Sequence, residues 1–305
     1  MTRYAVRHAT LYEYGGDVVH SHHLLHLQPR EFAFQRCLEH SLILDPQPSF
    51  SREDVDAFGN AIARLEYDRA HERLAVTAEM QVEIFPRAAE SPDAAEPWDE
   101  LRRRLAYHAI SVSPADLEAC RFRMRSPHVP LKMAFEEYAA DCFTPGRPVA
   151  AACQALMRKI HREFKYVPGS TTNRTSIVDV LKGRRGVCQD FAHFMIGCLR
   201  SSGLAARYVS GYIRTVRKGG AAAIGGDASH ALQQMVGDGR QLLRGDAEGW
   251  AGDADRRNRM ARVVQDRRAY AAHAFFDLFV IHRIAAFARL FQIAQQLFLT
   301  HQRLL

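Results

Sequence analysis

The stretch Arg185-Gly-Val-Cys-Gln-Asp-Phe-Ala-His193 decides how the rest of the chain is read. A glycine break is followed almost at once by a cysteine. The residues after it stay apolar nearly all round: Phe191, Ala192, Phe194, Met195, Ile196, Cys198 and Leu199. That pattern predicts a central buried helix from Cys188 to about Ser201, ended by Gly203. A cysteine in the first turn of such a helix meets unpaired backbone N–H groups and the positive end of the dipole, both of which favour a thiolate. The same N–H groups suit an oxyanion hole for a tetrahedral intermediate. The alternative is that Cys188 is one more small buried apolar residue. Gln189 and Asp190 are expected to cap the helix start. His193 lies further along the helix and, at about 100° of rotation per residue, points away from Cys188, so a structural role is expected for it.

Working outward, Val149 to Phe164 has apolar residues at helical spacing, with Pro148 suited to the first turn. A loop, Pro168 to Asn173, and a short helix, Ser176 to Leu181, lead up to the cysteine. Downstream, Ala205 to Ile213 reads as a strand, and a Gly/Ala-rich loop ends at Asp227-Ala-Ser-His230. A thiol nucleophile needs a base, and the base needs an orienting group. His230 at the start of one strand and Asp246 on the next, joined by Gly237-Asp-Gly239, can be neighbours on adjacent antiparallel strands. Alternatively, His230 is one of fifteen histidines without a catalytic role.

Residues 1 to about 87 alternate in short apolar and polar runs, as in Tyr4-Ala-Val-Arg-His8 and Leu74-Ala-Val-Thr-Ala-Glu-Met-Gln-Val-Glu-Ile84. Turn residues punctuate them at Gly15-Gly16, Asp45-Pro-Gln-Pro48 and Asp56-Ala-Phe-Gly-Asn60, which predicts a small antiparallel β-sandwich. The proline-rich stretch that follows reads as a linker with short helices at Trp98 to Tyr107 and Leu131 to Cys142. The expected organisation is a β region over 1–90, a linker over 91–149, a catalytic core over 150–246 and a divergent helical tail over 247–305. None of the twelve prolines falls after Pro168, and the tail is rich in Arg, Ala, Phe and Leu.

Arg185 to His193, followed by Leu199-Arg-Ser-Ser-Gly-Leu-Ala-Ala-Arg-Tyr-Val-Ser-Gly-Tyr212, resembles the core of the transglutaminase-like, papain-type superfamily, and more narrowly its bacterial members in the cysteine-protease group. Glu163-Phe-Lys-Tyr166, Pro168-Gly-Ser-Thr171 and Asp179-Val-Leu181 resemble residues upstream of that core. Tyr4 to His8, Ser21 to Arg30, Asp56 to Asn60 and His71 to Leu74 resemble the β-rich region that precedes it. The resemblance covers residues 1 to about 230. It implies an α+β fold with the cysteine on the central helix, Cys188 as nucleophile, His230 as general base and Asp246 as orienting carboxylate. It further implies attack on a peptide or carboxamide carbonyl, with a thioester passed to an amine or to water. The pattern breaks after His230: Leu232-Gln-Gln-Met stands where the family has a tryptophan and a β run. A change of reading frame near residue 231, or decay of the gene, is one reading of that break, and on it the spacing of Asp246 is coincidental.

The net charge of +7 and pI near 9.2 come from scattered arginines, read as a solvated basic surface and not a nucleic-acid arm. The six cysteines show neither a CxxC pair nor a disulfide spacing, which suits reduced thiols and a cytoplasmic location. No signal peptide and no membrane span are expected. No cofactor is implied. The cluster His20, His22, His23 and His26 lacks a companion carboxylate or cysteine at ligand spacing, so no metal site is expected there. Two functions compete. One is a cysteine acyl-transfer enzyme acting on a peptide or protein substrate. The other is an inactive module of the same fold that binds a peptide or protein partner.

Overall fold

The computed structural model describes residues 1–86, 91–107, 112–172, 174–216, 222–224, 230–237, 240–245 and 278–281, with side chains as far as residue 212. Six strands open the chain: β1 (Thr2–Val18), β2 (Ser21–Leu25), β3 (Gln35–Asp45), β4 (Phe50–Val55), β5 (Ala61–Tyr67) and β6 (His71–Ile84). They form two antiparallel three-stranded sheets, ordered β1-β6-β3 and β2-β5-β4. The alternation read from the sequence is the cause. Leu74, Val76, Ala78, Met80 and Val82 of β6 are buried, while Glu79 and Gln81 between them face solvent. Leu44, Leu74 and Val76 from one sheet meet Leu65 and Tyr67 from the other, so the sheets close on a shared apolar layer.

The second unit is helical and then β. Its helices are α1 (Trp98–Arg104), α2 (Pro114–Cys120), α3 (Met133–Ala139), α4 (Val149–Glu163), α5 (Ile177–Gly183) and α6 (Cys188–Ser201). Between them lie the two-residue strands β7 (Lys165–Tyr166) and β8 (Arg185–Gly186), paired in parallel. A sheet follows, built from β9 (Ala206–Val216), β10 (Ala222–Ile224), β11 (His230–Gly237) and β12 (Arg240–Gly245) in the order β10-β9-β11-β12. The sequence pattern did not show α2, although Ser113-Pro114 followed by Asp116 is a start signal. Ser113 Oγ accepts from Asp116 N at 3.1 Å and Pro114 occupies the first turn. The stretch 91–149, linker-like in sequence, supplies Leu101, Leu105, Phe122, Phe135, Tyr138 and Phe143 to the same core as α4 and α6.

Helix α6 runs through the middle of that core. Phe194 is fully buried, with ring centroids of Tyr138, Phe164 and Phe135 at 5.1, 5.0 and 5.6 Å. Gly203, at φ +80°, ends the helix in the left-handed region that glycine adopts without strain. Arg200 then ties the helix end to its surroundings. It donates to Ala206 O at 2.8 Å, Met124 O at 2.9 Å and Ser126 Oγ at 3.2 Å.

Two contacts lock the β region onto the core. Asp56-Ala-Phe-Gly-Asn60 is a turn in which Asp56 accepts from Phe58 N, Asn60 N and Asn60 Nδ2 at 2.8 to 2.9 Å, with Gly59 at φ +79°. The turn presents Phe58 to Phe122 at 5.8 Å, under the Arg121 guanidinium at 4.6 Å. Further along, the Tyr212 hydroxyl of β9 is hydrogen-bonded to His8 Nδ1 of β1 at 2.9 Å and its ring packs on Val6, Met80 and Val82.

The C-terminal expectation is modified at one place. Where the composition predicts helix, Leu278–Ile281 is strand β13, paired in parallel with β9 from Ser210 to Ile213. Leu-Phe-Val-Ile is an aromatic and β-branched run that fits a sheet edge, and tertiary pairing there overrides helix propensity. The rest of 247–305 lies outside the described residues. No helix among the described residues is long and apolar enough to cross a membrane.

Candidate active site

Cys188 is the first residue of α6 and is half-buried. The segment that delivers it is held on both sides. Lys165 N donates to Arg184 O at 2.8 Å and Val167 N donates to Gly186 O at 3.0 Å, so β7 fixes the approach to the helix. Asp190, in the first turn as expected for a capping residue, accepts from Val187 N through Oδ2 at 2.8 Å. Gly186 is required here for space: a Cβ on it would stand 2.8 Å from Asp190 Oδ2 and 2.9 Å from Asp190 Cβ. The first-turn N–H groups and the dipole of this fourteen-residue helix are therefore directed at the cysteine's end.

Helix α6 packs on β9 and β11. Tyr208 of β9 lies close enough to sense the site: burial, then the negative charges of Cys188 and Asp190, push its phenol well above the ordinary range. The Tyr208 ring leans on His193 at 5.1 Å, and His193 stacks on His128 at 5.4 Å with the ring planes 2° apart. Sequence reading did not single out Tyr208 or His128, which only the fold brings beside α6. His193 is turned into this ring stack. Burial, with smaller contributions from His128 and Arg200, lowers its pKa to about 4.

That value has a consequence for folding. Between about pH 4 and the ordinary histidine value of 6.5, the unfolded chain binds a proton at His193 that the folded chain refuses, so stability falls as pH drops through that window. In urea titrations, His193→Phe is expected to lose less stability than the wild type on going from pH 7 to pH 4.5. Equal losses in the two proteins would show that the stack carries no such linkage.

His230 opens β11, and its backbone stands opposite Gly211 of β9. Strand β12 returns antiparallel and ends at Gly245, opposite Gln233. Asp246 follows directly and lies outside the described residues, as do the side chains of His230 and its neighbours. Of the histidine cluster, His22 is 3.7 Å from Glu66, His26 is 3.6 Å from Asp56, and His23 is hydrogen-bonded to Ser21.

The fold is an α+β one of papain-like type with a cysteine at the first residue of its central helix, and comparison with known proteins gives the family. Residues 4–83 match the bacterial transglutaminase-like N-terminal region and residues 136–250 match the transglutaminase-like superfamily. An uncharacterized protein of Mycobacterium tuberculosis is 37% identical over 236 residues, covering 75% of this chain and 72% of its own length. An uncharacterized protein of Mycobacterium leprae is 29% identical over 217 residues, covering 71% and 73%. A crystal structure of a proposed cysteine protease from Cytophaga hutchinsonii superposes with a TM-score of 0.60 at 19% identity, over 78% of this chain and 74% of that one. The chain belongs to the transglutaminase-like superfamily, in the group that carries the bacterial N-terminal region.

Proposed function

We propose that this protein is a cysteine acyl-transfer enzyme that cleaves or transfers peptide or carboxamide bonds through a thioester on Cys188. The observation that carries the reading is the position of Cys188 at the first residue of a buried helix whose start is pinned by Gly186, Asp190 and β7. In the reaction, the Cys188 thiolate attacks the carbonyl carbon, and the first-turn N–H groups take up the developing oxyanion. His230, protonated, gives its proton to the departing amine as the C–N bond breaks. Water or an amine then attacks the thioester while His230 accepts its proton, and the thiolate leaves. Asp246 holds the imidazole in the tautomer this requires. A peptide or protein is the substrate, and a reducing cytoplasm is the compartment that keeps such a thiol active.

A second reading is an inactive module of the same fold that binds a peptide or protein partner. The observation in its favour is Leu232, two residues after His230, where the family carries tryptophan. Alkylation decides between them. With iodoacetamide at pH 6, Cys188 is expected to react at least about tenfold faster than Cys37, read by mass spectrometry of the digest. Cys37, also half-buried, marks the slow limit, since burial and Glu31 push its thiol up, and free N-acetylcysteine in the same reaction supplies the ordinary-thiol rate that Cys188 must also exceed. Equal rates would favour the binding module.

A further inference from the structure

We propose that Thr171 and Asp190 are positioning residues for Cys188, linked in a hydroxyl–carboxylate–amide chain that fixes the turn on which the nucleophile rides. This rests on Cys188 being the nucleophile. Asp190 is only 8% exposed, and a carboxylate so placed is costly unless its oxygens are occupied. Its Oδ2 accepts two donors: the Thr171 hydroxyl at 2.6 Å and Val187 N at 2.8 Å. The first is a short charge-assisted bond that reaches from the loop after β7 to the helix start. Thr171 is itself held in place, because the preceding Ser170 bonds Val167 O through both its N–H, at 3.2 Å, and its hydroxyl, at 2.7 Å. Val167 N in turn donates to Gly186 O. The result is a closed loop of bonds running from Val167 through Ser170, Thr171, Asp190 and Val187 back to Gly186.

This loop of bonds surrounds the two residues immediately before Cys188. It sets the direction of the first-turn N–H groups relative to the sulfur, and the stabilisation those groups give a thiolate or an oxyanion depends steeply on their alignment. It also offsets a charge. A carboxylate near a thiolate opposes its ionisation, and the two donors on Asp190 Oδ2 partly offset that charge. Among the described residues, Tyr208 on β9 senses the charges of both Cys188 and Asp190, and the proposed mechanism adds His230 on β11. Plain helix capping needs only the Val187 bond. The extra reach to Thr171 is what a nucleophile-bearing turn gains from.

The test is the pH profile of Cys188 alkylation by iodoacetamide from pH 5 to 9, with Cys37 in the same digest as internal reference. Thr171→Val keeps the side-chain shape and removes the donor. It is expected to raise the midpoint by about half to one pH unit and to slow alkylation at pH 6 about three- to tenfold. Thr171→Ser restores the hydroxyl and is expected to recover the wild-type rate to within about twofold. Thr171→Ala serves as a second donorless variant, and far-UV circular dichroism identifies any variant that has lost its fold. A wild-type profile in Thr171→Val or Thr171→Ala overturns the inference while leaving the nucleophile reading intact. A wild-type Cys188 no faster than Cys37 overturns the nucleophile reading itself, and the inference with it.

Discussion

Cys188→Ala is expected to abolish acyl transfer, by at least about 10³-fold, while leaving the fold intact. The loss is large because the thioester has no other atom to form on. Of the five remaining cysteines, Cys142, Cys153 and Cys198 are buried, and burial pushes all three thiols up. The stability cost is small, within about 1 kcal/mol, because Cys188 is half-buried at a helix start and alanine suits the first turn. The measurement uses p-nitrophenyl acetate as an activated acyl donor. The wild type should release a burst of nitrophenolate and carry one acetyl group on the peptide containing Cys188, and Cys188→Ala should do neither. His230→Ala is the companion variant. It should lose the burst at pH 6 and recover much of it at pH 9, where an unassisted thiol ionises by itself. A wild-type protein that gives no acetylated Cys188 peptide would leave the binding-module reading in possession of the site.

The largest stability effect is expected at Phe194. Its side chain is fully enclosed by Phe135, Tyr138 and Phe164 on three sides. Phe194→Ala removes that ring and leaves a cavity that neighbouring aromatic rings are too rigid to fill. The cost is about 3–5 kcal/mol, seen as a lower urea midpoint. Since α6 carries both Phe194 and Cys188, Cys188 alkylation at pH 6 should fall toward the rate of Cys37 in the same variant well below its unfolding midpoint. A loss under about 1 kcal/mol would mean that the core around α6 relaxes far more than its packing implies.

Much of the fold is legible in the sequence because it rests on local periodicity. The alternation in β6, the helical spacing of Val149, Cys153, Leu156 and Ile160, and the all-round apolar α6 each encode an element before any long-range contact forms. The cysteine's place at a helix start is equally local, as are the Ser176 and Asp190 caps. Helix α2 escaped because its apolar face is short, and only its capping signal was there to be read. At Leu278–Ile281 a strand stands where composition suggested helix, since pairing with β9 supplies hydrogen bonds that no count of residue types contains.

What the sequence by itself determined is therefore the superfamily, the α+β order of elements and the place of Cys188 at the start of the central helix. The tertiary structure alone decided what surrounds that sulfur. Thr171 reaches Asp190 from across a loop, and Tyr208 comes in from β9 within range of the Cys188 charge; elsewhere in the core His193 stacks on His128, and Phe58 joins the β region to it. These pairs are far apart in the chain. Their proximity is a product of burying the apolar residues of α3, α4, α6 and β9 in one core, and no periodicity along the chain records where such faces meet.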